Sequence, residues 1–298
     1  MHFTNRCASG SMRPLTRFSP EARLKARLEA ASFRIAVIGL ESDDRTFIAA
    51  KLADAARQGV QLAVFPPAAL DDAHAESFDE LAARMSAAVD ATGVAAGIGW
   101  IERTEDGRLY DSYALCFPGG ARVRHRKLHA TRRGFHGGNG FTVFDAPFGM
   151  RIGVLIGEDN DVVENVRMTA LMGATLLIAP VRGERPHRAT LAARAADNGM
   201  YIAYGHASGE QALIVGPDGR VLARHAGASD GLIVARVSPA LAAASSGRRA
   251  LAARRPELYA PLAHRGNAYP VAIETERAAP RGALPLSFAI VGRNRVMR

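Results

Sequence analysis

The sequence predicts an α/β layered fold, and two observations lead to this prediction. Short apolar, β-branched runs alternate with stretches of helical spacing in both halves of the chain. Each half then continues into paired strands that are joined by turn sequences, such as Asp106-Gly107 and Pro217-Asp218-Gly219. Strands connected through helices and followed by antiparallel hairpins build sheets that are covered by helices.

The elements of the first half follow from their local patterns. Helical spacing predicts helices over 44–59 and 76–91, and Gly59 supplies a stop for the first of them. Apolar runs bounded by turn residues predict five strands. These strands are 33–40, 61–66, 93–102, 112–118 and 121–127.

The second half repeats the pattern of strand, helix, strand and hairpin. Helical spacing predicts helices over 161–172 and 186–198. No GxGxxG or GxxxxGK[ST] motif occurs, which argues against a dinucleotide-binding domain or a phosphate-binding loop. The predicted strands are 141–147, 151–157, 174–181, 201–207, 211–217, 220–225 and 231–237.

Length and composition restrict the class of protein. The 298 residues, 48% of them hydrophobic and 22% charged, suit one large globular domain rather than a disordered chain. Only two cysteines, Cys7 and Cys116, are present, which excludes a disulfide framework and indicates a reducing, cytoplasmic location. No apolar run approaches the 18 residues of a spanning helix, and no signal-like apolar stretch follows the N-terminal arginines.

The net charge of +9 is concentrated at the two ends of the chain. Residues 1–32 carry a net +4 and residues 246–298 a net +7, which leaves −2 for the middle. The chain therefore divides into a basic extension over 1–32, a folded domain over 33–262 and a basic tail over 263–298. Basic ends can bind polyanions, but no nucleic-acid motif accompanies them, so solvated ends are the favoured interpretation.

The most informative stretch is 110–181. It contains Arg126-Lys127-Leu128-His129, in a chain with only three lysines among its 38 cations. It also contains the strand-to-turn sequence VLIGEDND around Gly157. These motifs and their order resemble the carbon–nitrogen hydrolases of the nitrilase superfamily. The resemblance implies a four-layer αββα sandwich that pairs through its helices into a homodimer, and it implies no cofactor.

Three departures from that family decide the functional expectation. The position of the family's nucleophilic cysteine falls on Gly157, and the position of its general base falls on Pro67, after Val64-Phe65-Pro66. The loop 130–140 contains no acid, although many members carry a second glutamate there. Of the catalytic residues of that family, only the lysine is present here, as Lys127. Glycine supplies no nucleophile and proline no base, so we expect an impaired homologue that binds a small molecule or a partner.

The neighbouring acids leave an alternative open. Glu158 or Asp159 is a candidate relocated acid in an active amide or nitrile hydrolase, or a ligand-binding group. We expect Lys127 either to receive an anionic ligand through the cleft or to pair with one of these two acids, because an unpaired ammonium out of water is costly. In that case Lys127→Met should destabilise the fold by leaving a buried negative charge without a partner.

The cysteine and the histidines near the lysine motif have less specific interpretations. Cys116 is more consistent with a core thiol than with a displaced nucleophile. His125, His129 and His136 have the residue type of zinc ligands, but acids are sparse in their segment. We therefore interpret these three side chains as ordinary polar histidines and predict no metal.

Overall fold

A computed structural model describes residues 32–39, 45–67, 74–182, 188–207, 212–225 and 231–263. The chain divides into a larger compact unit that ends at Arg254 and a smaller one that begins at Arg255. The predicted extension over 1–32 and the predicted tail over 263–298 lie almost entirely outside the described residues. Within the described residues, no helix is both long enough and apolar enough to cross a bilayer.

The described part of the larger unit contains two six-stranded sheets. The first has the order β12-β1-β2-β3-β4-β5 and the second has the order β11-β10-β9-β8-β7-β6. The strands of the first sheet are β1 Phe33–Ile38, β2 Leu62–Pro67, β3 Ala95–Arg103, β4 Leu109–Cys116, β5 Arg122–Arg126 and β12 Leu232–Val237. Those of the second are β6 Thr142–Asp145, β7 Arg151–Val154, β8 Leu176–Val181, β9 Tyr201–His206, β10 Leu213–Val215 and β11 Val221–Arg224.

Each sheet has a parallel centre and antiparallel flanks. In the first sheet β1, β2 and β3 are mutually parallel, and in the second β7, β8 and β9 are. The helices connect these parallel strands or follow the last strand. They are α1 Arg45–Arg57, α2 Phe78–Thr92, α3 Val163–Leu171, α4 Arg188–Asn198, α5 Pro239–Ala243 and α6 Ser246–Ala252.

Alternation along the strands divides the core into three layers. In β1, Ile35 and Val37 contribute to the core between the two sheets. The intervening Ala36 and Ile38 pack with side chains of α1 and α2. A third cluster joins the outer face of the second sheet to α3 and α4. Helices, sheet, sheet and helices therefore form the four-layer αββα sandwich that the resemblance to the nitrilase superfamily implied.

The last helix, α6, packs very closely against the end of α4. A Cβ on Gly247 would lie 2.2 Å from the Ala196 carbonyl oxygen, so only glycine allows this approach. Next to it, the partly buried Arg248 donates hydrogen bonds to the carbonyl oxygens of Ala170, Ala174 and Gly199. These three carbonyls follow or end helices α3 and α4, where backbone acceptors lack helical partners. One side chain thus joins two connections of the second sheet, the one between β7 and β8 and the one between β8 and β9.

The described part of the smaller unit consists of two 3₁₀ turns, Pro256–Leu258 and Ala260–Ala263. Arg255 forms an ion pair with Glu257 at 2.6 Å, and its backbone N–H donates to the Tyr259 hydroxyl at 3.4 Å. These contacts are all local in sequence.

Candidate active site

A cleft of about 170 Å³ lies where the carboxyl ends of parallel strands from both sheets meet. Pro67 ends β2, Gly157 follows β7 and Arg182 follows β8. Carboxyl ends of parallel strands are the usual place for sites in α/β sheets, since the connecting loops leave a crevice there. The lining residues are Pro67, Trp100, Ile101, Asp111, Ser112, Lys127, Thr131, Arg132, Ile156, Gly157, Glu158 and Arg182.

Lys127 is the residue that follows β5, and backbone hydrogen bonds fix it on both sides. Its N–H donates to the Asp111 carbonyl at 2.8 Å, and its own carbonyl accepts from the Gly138 N–H at 2.7 Å. The chain returns so closely here that a Cβ on Gly138 would lie 2.6 Å from the Arg126 carbonyl oxygen. The Gly137-Gly138 pair therefore allows the loop after the lysine to pack closely against the end of β5.

The Lys127 side chain is only 4% exposed, and its ammonium group is fully engaged. Its Nζ lies 2.8 Å from Glu158 Oε2, 2.6 Å from the His129 carbonyl oxygen and 3.4 Å from Thr131 Oγ1. The predicted ion pair between Lys127 and an acid of the turn is therefore present, and Glu158 is the partner.

The turn that presents Glu158 is a 3₁₀ helix, Gly157–Asn160. Gly157 has φ +56°, in the left-handed region that favours glycine. A Cβ built on it would lie 3.3 Å from Lys127 Cε, so a side chain at this position would point at the lysine. The Asn160 side chain closes the turn by donating to the carbonyls of Leu155 at 2.8 Å and Gly157 at 2.9 Å.

Asp159 holds the lysine segment against this turn. The residue is fully buried, and its carboxylate accepts from the backbone N–H groups of Leu128 at 2.7 Å and His129 at 3.0 Å. The His129 ring nitrogen Nδ1 lies 2.8 Å from the same carboxylate. With its oxygens committed to these partners, Asp159 positions Lys127 and does not face the cleft as a free acid.

Glu158 differs from Asp159 in exposure. Its side chain is 47% exposed at the mouth of the cleft. Partial burial acts to raise the pKa of Glu158, but the hydrogen bond and the charge of Lys127 outweigh it and the pKa is lowered. Glu158 is therefore an ionised counter-charge rather than a proton acceptor of high affinity.

Three charged residues of the cleft were not singled out by the sequence, namely Asp111, Arg132 and Arg182. Burial raises the pKa of the Asp111 carboxyl, although Arg132, Lys127 and Arg182 act in the opposite direction. The pairing of β4 with β5 in a hairpin could have indicated Asp111 from the sequence. Ser112 pairs with Arg126, so residue 111 must lie opposite residue 127.

Pro67 occupies the other side of the cleft and contributes no titratable group. It pairs with Gly99 across the sheet, where a Cβ on the glycine would lie 2.9 Å from Pro67 Cα. The apolar residues that line the cleft are Pro67, Trp100, Ile101 and Ile156, and the charged ones are Asp111, Lys127, Arg132, Glu158 and Arg182.

Comparison with known proteins identifies the family. The model of the family described as carbon-nitrogen hydrolase matches residues 27–245, which is more than half of the chain. The chain belongs to the carbon–nitrogen hydrolase family. A similar curated relative, described as a hydrolase in the pqqF 5′ region of Pseudomonas protegens, is 33% identical over 62% of this chain and 70% of its own length.

Two further comparisons are with amidases. An (R)-stereoselective amidase from a Pseudomonas species is 32% identical over 45% of this chain and 54% of its own length. A solved double mutant of the amidase from Nesterenkonia sp. AN1, in complex with acrylamide, superposes with a TM-score of 0.66 at 22% identity. That superposition covers 78% of this chain and 97% of the amidase, and it shows the shared fold.

Cys116 of this carbon–nitrogen hydrolase homologue is a core thiol. It is buried on β4 among side chains of the layer below α1 and α2, and it does not line the cleft. Burial raises the pKa of its thiol to about 11, so the reactive thiolate is disfavoured.

The three histidines near the lysine motif have separate environments. Within the described residues, no group of three or more potential metal ligands occurs. His125 contacts Thr142, His129 contacts Asp159, and the His136 ring lies 5.6 Å from the Tyr110 ring.

His125 should make the stability of this carbon–nitrogen hydrolase homologue depend on pH. The ring is 1% exposed, and burial lowers its pKa from 6.5 to about 4, with Asp159 opposing the shift. Below pH 6.5 the unfolded chain binds a proton that the folded chain rejects, so the free energy of unfolding falls as the pH falls. The free energy of unfolding should therefore fall by about 3 kcal/mol as the pH is lowered from 6.5 to 4.

Urea denaturation at several pH values between 6.5 and 4 tests this prediction. His125→Asn should flatten the pH dependence, because it keeps a polar atom for Thr142 and removes the titrating ring. The exposed His136 supplies the control variant, His136→Asn, which removes a histidine from the surface. An unchanged pH dependence in His125→Asn would contradict the assignment.

Proposed function

We propose that this protein is a carbon–nitrogen hydrolase homologue that binds a small molecule in its cleft without performing cysteine-dependent hydrolysis of amides or nitriles. The observation that carries the proposal is the direction of a side chain at Gly157. A Cβ there would point at Lys127 Cε from 3.3 Å, and the residue present has none. We therefore assign Gly157 to the nucleophile position and Pro67 to the base position.

The chemistry of the family explains why this assignment implies impairment. A covalent nucleophile divides amide hydrolysis into two easier steps, and a base takes its proton. In subtilisin, loss of the nucleophile lowers kcat by about 2 × 10⁶. A mutant of the Nesterenkonia amidase carries the product of acrylamide addition at its active site cysteine. Among the described residues that line the cleft of this chain there is no cysteine.

Direct attack by water remains the second candidate function, and one observation favours it. Asp111 has a raised pKa and lies in the cleft, so it is the acid best suited to accept a proton from water. Glu158 is held ionised by Lys127, and Asp159 is committed to N–H groups. In this second candidate function the acid is therefore Asp111, and not Glu158 or Asp159 as the sequence suggested.

Ammonia release from butyramide, acrylamide, carbamoyl compounds and simple nitriles tests the proposal. We expect the purified protein to match background and Lys127→Ala to leave that rate unchanged. The matched control is Lys51→Ala, which removes another of the three lysines, on α1 outside the cleft. Turnover that Lys127→Ala abolishes would overturn the proposal, and turnover that Asp111→Asn also abolishes would establish the second candidate.

We also propose that the protein forms a homodimer through α3 and α4, in a reducing, cytoplasmic location. Four apolar side chains on and beside α3 support the dimer, because they are exposed in the single chain. They are Val162, Val163, Met168 and Met172, each between 37% and 44% exposed. A monomeric mass by light scattering at micromolar concentration would contradict the dimer.

A further inference from the structure

The loop that joins β5 to β6 is attached to neighbouring elements at both of its ends. At its beginning, two backbone N–H groups donate to the Asp159 carboxylate. Near its end, the His136 N–H donates to the Leu109 carbonyl at 2.8 Å. Between these fixed points lies the stretch 130–134, which we call the loop tip.

The backbone of the loop tip is weakly attached. Among the described residues, Ala130, Thr131, Arg133 and Gly134 make no backbone hydrogen bond to the backbone of another element, and all four are exposed. Gly134 has φ +82°, and a Cβ built on it would meet nothing within 4 Å. A short exposed stretch with so few backbone bonds separates from its surroundings at a low cost in free energy.

Two side chains of the loop tip reach the cleft, and both belong to its lining, Thr131 and Arg132. Thr131 Oγ1 lies 3.4 Å from Lys127 Nζ, at the long end of the range for a hydrogen bond. Arg132 Nη1 lies 3.5 Å from Asp111 Oδ1, and the Arg132 guanidinium lies 4.0 Å from the centre of the Phe135 ring. Arg132 takes part in a further interaction as well. Its side chain is therefore the main attachment of the loop tip.

We propose that the loop tip is a lid over the cleft and that Arg132 holds it closed. The structure has the closed arrangement, in which Arg132 extends from the lid to Asp111 on β4. In the open arrangement Arg132 leaves Asp111, while the hydrogen bonds at both ends of the loop persist. The inference rests on the ligand-binding role in the proposed function, because it names the motion that admits the small molecule.

Trp100 shows why a movable part is needed and also supplies a probe for it. It lines the cleft, yet it is only 3% exposed, so a molecule that contacts it must displace something. The remaining lining includes strand residues, such as Trp100 on β3 and Asp111 on β4, which are held in the sheet. Trp100 is the one tryptophan of the chain, and its indole N–H donates to the Glu76 carbonyl at 3.2 Å. Its fluorescence therefore reports on access to the cleft.

Quenching of Trp100 fluorescence by trichloroethanol, a small neutral molecule that is not an amide, tests the inference on the full chain. Arg132→Ala should raise the bimolecular quenching constant by about 3-fold or more, because it removes the ion pair and the ring contact that favour the closed lid. Arg132→Lys should lie between, since it keeps a charge for Asp111 and loses the planar contact with Phe135. Arg133→Ala is the matched control, because Arg133 is the next residue, is exposed and does not line the cleft.

Hydrogen exchange distinguishes opening of the lid from loss of the surrounding structure. The Leu128, His129 and His136 amides at the two ends of the loop should stay as protected in Arg132→Ala as in the unaltered protein. The inference is overturned if Arg132→Ala quenches no more than Arg133→Ala, or if these amides lose protection together with the rise in quenching.

The quenching experiment uses no ligand, so its result is independent of the proposed function. Ammonia release is measured on the same samples. Release that depends on Lys127 would overturn the proposed function and leave the comparison of Arg132→Ala with Arg133→Ala intact. Equal quenching in those two variants would overturn the lid and leave the proposed function standing.

Discussion

Replacing Asp159 by alanine should lower the free energy of unfolding by about 3–5 kcal/mol. The carboxylate is fully buried and accepts from the N–H groups of Leu128 and His129. Without it, the N–H groups of Leu128 and His129 lose their acceptor, and the segment after β5 loses its attachment to the turn at Gly157. The cavity left by the side chain adds to the cost.

Urea denaturation measures the stability change, and hydrogen exchange at the Leu128 and His129 amides locates it. Asp159→Asn should cost less than Asp159→Ala, because its remaining oxygen can still accept one of the bonds. The exposed Glu105→Ala is the control for loss of an acid from the surface. If Asp159→Ala and Glu105→Ala had equal effects, Asp159 would not hold the two segments together.

The second prediction concerns the two partners of the cleft ion pair. Glu158→Ala should destabilise the protein by about 2 kcal/mol, whereas Lys127→Met should change its stability by less than about 1 kcal/mol. The asymmetry follows from exposure, since the lysine side chain is 4% exposed and the glutamate 47%. Removing the glutamate leaves a buried ammonium with two neutral acceptors. Removing the lysine leaves a carboxylate that water can reach.

The exposures of the two side chains correct the expectation from the sequence that Lys127→Met leaves a buried negative charge. The buried member of the pair is the cation, and the acid lies at the mouth of the cleft. Thermal and urea denaturation of both variants measure the order of their stabilities. Glu158→Gln should fall between them, because its amide oxygen can still accept from Nζ. A larger loss of stability in Lys127→Met than in Glu158→Ala would contradict the prediction.

The fold was largely predictable because its elements are locally consistent. Helix α2 illustrates this, since Ser77 and Glu80 form a capping box and Gly93 ends the helix with φ +67°. The predicted strand over 151–157 was too long, because the backbone leaves the sheet after Val154 to form the turn at Gly157. The short helices α5 and α6 were not predicted. Their alanine-rich sequence has little apolar periodicity, and close packing against α4 stabilises α6.

The candidate site was predictable only where a motif marked it. The Lys127 and Gly157 segments stood out by residue type and order, and the structure brings them together. Arg132 and Arg182 did not, because arginine is common along this chain and carries little information at any one position. The division of roles between Glu158 and Asp159 also required the structure, since adjacent residues of a 3₁₀ turn point in different directions.

The pairing of β1 with β12 joins the beginning of the folded domain to its end. Phe33 is the register partner of Val237, so the first strand of the described residues pairs with the last of them. Until residue 237 has left the ribosome, β1 exposes one edge with unpaired N–H and C=O groups. The first sheet therefore cannot be completed during most of synthesis. A nascent or truncated chain that ends before β12 should rely on chaperones, because its open edge favours association with other strands.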